Sequence, residues 1–238
     1  MKSKDLMFRI WVILSGIIII AVTFGLFLYI FYKGIGVVSA EFIFSPPKGI
    51  PLGTEGGVFP AIIGSLMSGL ISGLLGGTLG LCTAIYLNYY CRNEIIRKYI
   101  LNALQCLAGI PSVVIGLFGY TFLIVGLGIS KSLLSASVTL TVMIIPFISI
   151  RMKRALEETS KEQYISSLSL GIPKGYTIVK LVIPSAFKYI MTSLGLGTVF
   201  AMGATAPIMY TGVVIMSGVP GKLTDPFMAL PYHLYILV

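Results

Sequence analysis

Charged residues divide this chain into five long stretches that contain no Asp, Glu, Lys or Arg. The shortest has 19 residues, and a helix needs roughly 20 to cross about 30 Å of hydrocarbon. The strict alternation of apolar and polar residues that a barrel strand requires is absent, so the stretches predict membrane-spanning helices. They are residues 10–32, 56–91, 99–130, 132–150 and 189–221.

Three of the stretches are longer than one span, with 36, 32 and 33 residues, so parts of them must tilt, lie at an interface or break. Prolines predict breaks in the third, fourth and fifth stretches, at Pro111, Pro146 and Pro207. Backbone exposed at membrane depth is tolerated only where it is buried or lines a cavity, so the pattern indicates a passage. After Asp225 only 13 residues remain, which predicts a half-inserted segment or the start of a span that a longer protein completes.

Composition and charge agree with a membrane protein. The chain is 56% apolar and 11% charged, with a mean hydropathy of +0.98, whereas soluble domains are roughly 25% charged. A cytoplasmic N-terminus places 13 of the 17 basic residues inside and 4 outside, which the positive-inside rule favours. The net charge of +9 therefore indicates orientation and contact with anionic lipid, and we do not expect nucleic-acid binding.

The order of these features predicts three parts. Residues 1–32 form an anchor helix, 33–58 an external Pro/Gly-rich segment, and 59–238 a transmembrane core with a cytoplasmic loop at 151–188. A cleaved signal peptide is disfavoured, because the first apolar stretch is too long for one.

Small residues recur every four positions in the second stretch, on two neighbouring rows. Such rows let another helix approach at backbone distance, which compensates for the poor helix propensity of glycine. The sequence leaves open whether that helix belongs to this chain or to another subunit. The predicted packing residues are Gly64, Ser68, Gly69, Ser72, Gly73, Gly76, Gly77 and Gly80.

Residues with catalytic or metal-binding chemistry are sparse. We find no HExxH, Cys/His cluster, Ser/His/Asp set or GxxxxGK[ST], so we expect neither an enzyme nor a metal site nor a nucleotide bound by this chain. The lone His233 is interpreted as structural, and the three cysteines as reduced thiols. No Asp, Glu, Lys, Arg or His lies inside an uncharged stretch, which argues against a proton relay.

The stretch from Arg151 to Lys188 is the only long charged loop on the predicted inside. Residues 160–170 can form a short amphipathic helix that ends at Gly171 and Pro173. A short helix held between two spans suits a lever that docks on a partner. The alternative is a helix that lies on lipid headgroups.

This loop resembles that of the membrane permeases of ABC importers, whose pattern is EAA-x3-G-x9-I-x-L-P. Gly171 and Pro184 keep the family's spacing of 13, and Leu181 and Ile183 stand for its Ile and Leu. Residues 165–167 depart from EAA and read Ile-Ser-Ser. The resemblance implies coupling to a separate ATPase through Ser166, Ser167, Leu168, Gly171, Pro173 and Pro184.

Other stretches are similar to PstA-type phosphate permeases over nearly all of the chain after residue 40. Where that family usually has Gly-Glu-Thr-Ala-Pro, this chain has Ala204 in place of the glutamate. The similar stretches are residues 44–47, 56–62, 109–119 and 229–233.

The resemblance implies an all-α, polytopic bundle of the type I ABC importer fold, with five spans plus a partial sixth, in the cytoplasmic membrane. It implies a second, PstC-like permease subunit, ATPase subunits that bind ATP and Mg, an external phosphate-binding protein, and no cofactor in this chain. Neutral hydrogen-bonding groups and one cation at the inner mouth are candidates for the path of the phosphate. They are Asn102, Ser112, Thr205 and Arg151.

Three alternatives stay open. One is a secondary transporter driven by an ion gradient, which would be expected to carry an ionisable residue inside the membrane. Another is an ABC permease for a different oxyanion. The third is a structural or assembly protein, if Ala204 marks a degenerate permease.

Overall fold

A computed structural model describes residues 2–49 and 55–237, apart from the side chains of residues 2–4 and 159–161. The chain divides into two compact units, Met1–Gly57 and Val58–Val238. Almost all regular structure in the described residues is helical, which confirms the all-α prediction.

The first unit consists mainly of one long helix, α1 (Lys2–Gly34), and no residue in its apolar window is buried. A short helix, α2 (Ala40–Phe44), follows, and the Ser39 hydroxyl oxygen accepts a backbone N–H of its first turn at 3.1 Å. Two short strands, β1 (Pro47–Lys48) and β2 (Glu55–Gly56), then pair in antiparallel fashion.

The second unit contains the other helices. Three π-helical segments extend them, at Tyr86–Tyr90, Tyr120–Gly126 and Ile178–Val182. The α-helices are α3 (Phe59–Ile85), α4 (Glu94–Ala108), α5 (Ser112–Gly119), α6 (Leu133–Ser169), α7 (Lys174–Thr177), α8 (Ile183–Met202), α9 (Ala206–Thr211) and α10 (Leu230–Leu237).

Helix α6 is the centre of the second unit, and α3 and α8 pack against it. In its apolar window 67% of the residues are buried, against 39% for α3 and 28% for α8. The exposed outer faces of α3 and α8 are apolar, as is typical of helices that face lipid. The fully buried side chains of α6 include Leu140, Ile144, Ile148, Met152 and Leu156.

The three prolines that predicted breaks behave differently. At Pro111 the chain bends by 98° between α4 and the helix Ser112–Gly126, which confirms the break. Pro146 lies inside α6, so the break predicted there is wrong: Pro146 removes one hydrogen bond from a long, well-packed helix. The break near Pro207 falls at residues 203–205, and Pro207 occupies the first turn of α9, where its missing N–H costs nothing.

The short helix predicted at residues 160–170 is not a separate element. Helix α6 continues to Ser169, and the next helix runs from Lys174 to Met202, so a turn of four residues joins two long helices. Most of the charged residues of the predicted loop therefore lie in an extension of α6, where Lys153 and Glu157 form an i,i+4 ion pair of 2.5 Å.

Four helices of the described residues are long and apolar enough to cross a membrane, or five if the bent pair at Pro111 counts as one span. The upper number equals the five predicted spans. The predicted partial sixth span corresponds to α10, which has eight residues.

Candidate functional site

The two rows of small residues on α3 face different neighbours, and all eight predicted packing residues are buried. Gly76 and Gly80 face α6, where Ile144 and Ile148 occupy the space of the absent side chains. The other row faces α8 in antiparallel register. The sequence left open whether the small residues of α3 pack against this chain or against another subunit. These contacts lie within this chain. On α8 the contacts are Gly69 with Met202, Gly73 with Thr198, and Gly77 with Leu194.

The turn between α6 and α7 is built around Gly171, whose φ of +76° lies in the left-handed region that glycine adopts without steric cost. The Gly171 N–H donates to the Leu168 carbonyl at 3.0 Å, and the Ile172 N–H donates to the Ser167 carbonyl at 3.2 Å. These bonds satisfy the last carbonyls of α6. Pro173 then holds the backbone extended, with φ −59° and ψ 138°, and α7 begins.

Two buried hydroxyls hold this turn closed. Ser167 Oγ and Thr177 Oγ1 are 2.7 Å apart, and the two residues are 4% and 0% exposed. Thr177 Oγ1 also donates to the Pro173 carbonyl at 3.2 Å, so the Ser167 hydroxyl is the donor between them. Ser167 was predicted to contact an ATPase. Its burial corrects that prediction, because its side chain bonds within the turn.

Lys174 anchors the turn to the end of α3. Its ammonium group donates to the Tyr89 carbonyl and lies 4.4 Å from the centroid of the Tyr90 ring. A cation over an aromatic face contributes roughly 0.5–2 kcal/mol, depending on how far it is desolvated. This anchor cannot be recognised in the sequence, because 85 residues separate Lys174 from Tyr89.

Tyr89 also ties α3 to the extension of α6. Its ring centroid lies 4.6 Å from that of Tyr164, and its hydroxyl donates to the Leu156 carbonyl at 3.3 Å. Burial raises the pKa of the Tyr164 phenol above its ordinary value, and the nearby Tyr90 raises it further.

The outer side of the turn is apolar and exposed. Leu170 is 79% exposed and Tyr176 is 58% exposed, although the sequence analysis singled out neither. An exposed apolar tip on an otherwise anchored hairpin is typical of a protein-docking surface. Of the predicted coupling residues, the exposed ones are Ser166, Leu168, Gly171, Pro173 and Pro184.

The four candidate path residues lie on four different helices or their ends. Asn102 on α4 and Ser112 at the start of α5 are exposed, Thr205 before α9 is half-buried, and Arg151 on α6 is exposed. Gly116 of α5, four residues after Ser112, packs against the first residues of α9, which follow Thr205 directly. In the described part of the chain no hydrogen bond joins any two of the four.

Other chemically notable residues form no cluster. Within residues 2–49 and 55–237, no three His, Cys, Asp or Glu side chains converge to hold a metal ion. His233 is 4% exposed, and its Nδ1 has no hydrogen-bond partner among the described atoms. Ala204, at the position of the resembling family's glutamate, packs against the apolar core.

Residues 76–237 match the model of a protein family described as the binding-protein-dependent transport system inner membrane component. The match covers most of the chain and includes the turn around Gly171. The chain belongs to this family. The matched region runs from the middle of α3 to the end of α10.

Curated relatives are similar over a large part of the inner membrane component. The phosphate transport system permease protein PstA 2 of Mycobacterium bovis is 34% identical over 173 residues, 73% of this chain and 57% of the relative. The probable ABC transporter permease protein YqgI of Bacillus subtilis is 28% identical over 198 residues, 83% of this chain and 67% of the relative. The chain thus spans little more than half the length of the first of these relatives.

A solved structure supports the fold. The inner membrane component is similar to a chain of the MetNI methionine ABC transporter in an inward-facing conformation, with a TM-score of 0.55 and 22% identity. The similarity covers 60% of this chain and 68% of that chain. The predicted type I ABC permease fold is thereby confirmed.

Proposed function

We propose that this inner membrane component is the permease subunit of an ATP-driven importer and that its substrate is inorganic phosphate. The family match through the exposed turn is the observation that carries the proposal. The substrate rests on relatives named as phosphate transport permeases, among them a Methanocaldococcus jannaschii protein that is 26% identical over 78% of this chain. No catalytic step is assigned to this chain, and ATP and Mg belong to a partner ATPase.

The exposed tip at Leu170 is the part of the chain that we assign to that ATPase. Lys174 fixes the turn to α3, and the Ser167–Thr177 pair fixes it to α7. A partner that moves this turn therefore moves the ends of three helices together. Such rigid-body movement is one established way to open a site alternately to the two sides of a membrane.

The orientation is inferred from charge. With the N-terminus in the cytoplasm, the turn lies inside the cell together with 13 of the 17 basic residues. Replacing Leu170 by cysteine and labelling the thiol in intact cells tests this orientation. Labelling by a reagent that does not cross the membrane would contradict it.

The proposed transport requires partner proteins in addition to this chain. A second, PstC-like permease subunit would supply the other half of the path, and an external phosphate-binding protein would deliver the substrate. Asn102, Ser112, Thr205 and Arg151 remain the predicted contributions of this chain to the path. Their placement on separate helices agrees with a path that only the assembled pair encloses.

Uptake of labelled phosphate by proteoliposomes that contain the assembled complex tests the function. We expect uptake that requires ATP inside the vesicle together with the binding protein outside. Uptake that persists without ATP and collapses with an ion gradient would favour the secondary transporter. ATP-dependent uptake of another oxyanion, without uptake of phosphate, would contradict the substrate.

Leu170→Ser tests the docking surface. Removing a large apolar side chain from an interface weakens it by roughly 1.5–3 kcal/mol, so co-purification with the ATPase should fall about tenfold or more. Val219→Ser is the matched control, because Val219 is 45% exposed and lies after α9, away from the turn in sequence. Equal losses in the two variants would contradict docking at the turn.

A further inference from the structure

A cavity of about 270 Å³ opens between α6 and α8. The residues that line this cavity are different from those that hold the turn around Gly171. The volume is just below the range for drug-sized ligands, so the cavity suits a small ion with its water. We call it the arginine cleft, and its polar lining residues are Arg151, Arg154, Glu158, Tyr189, Thr192 and Ser193.

The two arginines of the cleft have no acidic partner. They are three residues apart and therefore share one face of α6. Among the described residues neither guanidinium lies within ion-pair distance of a carboxylate, although Lys153 between them is paired with Glu157. The Arg151 guanidinium lies 5.2 Å from the Phe147 ring centroid, which restrains it without neutralising it. Unpaired guanidinium groups are suited to two-point binding of an oxyanion.

The cleft also offers a neutral donor. The Thr192 and Ser193 hydroxyls donate to carbonyls of their own helix, at 2.9 and 2.8 Å. The Tyr189 side chain lines the cleft and is 53% exposed, so its hydroxyl is accessible to a ligand. Two guanidinium groups and a phenol all donate hydrogen bonds, so they are suited to a ligand with several hydrogen-bond acceptors. Glu158 is the opposing charge, since its carboxylate also lines the cleft.

The position of the arginine cleft along α6 limits which ligands can reach it. At 1.5 Å per residue from Leu133, Arg151 lies roughly 27 Å along the helix axis, close to the full thickness of the hydrocarbon layer. A span that enters the hydrocarbon at Leu133 would therefore bring the cleft to the level of lipid phosphate groups, where anions from the aqueous phase also arrive. Both sources present the same chemistry, a phosphoryl group with charged oxygens.

We infer that the arginine cleft binds a phosphoryl oxyanion at the inner boundary of the membrane, through Arg151, Arg154 and the Tyr189 hydroxyl. The inference rests on the proposed function for the inner location and for Arg151, which is also a predicted path residue, whereas the binding itself is measured without uptake. The source is the headgroup of an anionic lipid or inorganic phosphate. Glu158 repels the ligand and keeps its affinity moderate.

The experiment uses the full chain in neutral detergent, with two probes. Equilibrium dialysis measures inorganic phosphate, and native mass spectrometry counts the phosphatidylglycerol molecules retained after transfer from phosphatidylglycerol/phosphatidylcholine nanodiscs. We expect Arg151→Gln and Arg154→Gln each to lower binding of one probe about tenfold, because each removes charged hydrogen bonds. Glu158→Gln should raise binding of the same probe severalfold, a gain that a misfolded variant cannot produce.

Lys180→Gln is the matched control, because it removes the same charge from an exposed position outside the cleft. A loss confined to inorganic phosphate identifies the free anion, and a loss confined to phosphatidylglycerol identifies the lipid. Unchanged binding of both probes in the arginine variants would overturn the inference, as would an equal loss in Lys180→Gln. Intact ATP-dependent uptake without binding at the cleft would count against the cleft alone, whereas binding without any uptake would count against the proposed function.

Discussion

Helices α1 and α3 are similarly long and apolar, yet they use their glycines in opposite ways. In α1 an added Cβ at Gly16 or Gly25 would meet nothing within 4 Å, and no residue of the apolar window is buried. In α3 a Cβ at Gly64 would lie 2.0 Å from the Met228 carbonyl oxygen. Hydropathy predicts that both helices enter a membrane. A sustained four-residue spacing of small residues marks the buried face of α3.

The largest expected effect is at Gly64. In Gly64→Ala the new methyl group meets a backbone carbonyl, which cannot move aside as the end of a side chain can. Overpacking of this kind costs about 1–3 kcal/mol, so the free energy of unfolding in mixed micelles should fall by that amount. Gly25→Ala is the control and should gain up to about 1 kcal/mol from helix propensity. Equal effects at both positions would remove the distinction between the two helices.

A substitution in the turn distinguishes a stability loss caused by steric crowding from one caused by backbone strain. Gly171 has nothing within 4 Å of an added Cβ, like Gly25, but its φ is +76°. Gly171→Ala should therefore lower stability by about 1–2 kcal/mol through backbone strain alone, with reduced ATP-dependent uptake.

Gly175 provides the matched control for that substitution, because it has equally open space and lies in α7 with an ordinary φ. Gly175→Ala should leave thermal stability and uptake unchanged. If Gly171→Ala proves as harmless as Gly175→Ala, the left-handed residue does not define the turn.

The smallest expected effect is at Gly77. There an added Cβ would meet Leu194 Cδ1 at 2.3 Å, the far end of a flexible side chain. Packing strain should then lower the stability by about 1 kcal/mol, and the better helix propensity of alanine should raise it by about the same amount. Gly77→Ala should therefore change the melting temperature in detergent only slightly. A loss as large as that of Gly64→Ala would show that the contact with α8 is as rigid as the backbone contact.

Much of the fold followed from the sequence because each signal was local. Uncharged runs located the spans, and the Gly-x-Pro at residues 171–173 located the end of α6. Pro146 misled, because a local rule takes no account of the packing that keeps α6 intact around it. The extent of α6 was also missed, since charged residues beyond a membrane continue a helix as readily as they form a loop.

The candidate site was less predictable, because its contacts are distant in sequence. Nothing near Lys174 indicates Tyr89, and nothing near Ser167 indicates that its hydroxyl bonds to Thr177 rather than a partner. A buried serine and an exposed one look alike in a sequence. The exposure of Leu170 likewise depends on the turn geometry that Gly171 sets.

The uninterrupted course of α6 has a mechanical consequence. Its 37 residues measure roughly 55 Å, nearly twice the hydrocarbon thickness, so almost half of the helix extends beyond the hydrocarbon layer. Without a joint at the surface, a sideways displacement of the projecting end must tilt the embedded part as well. When a rigid helix tilts in this way, its two ends move in opposite directions. A movement that closes the cytoplasmic side of the protein therefore opens the external side.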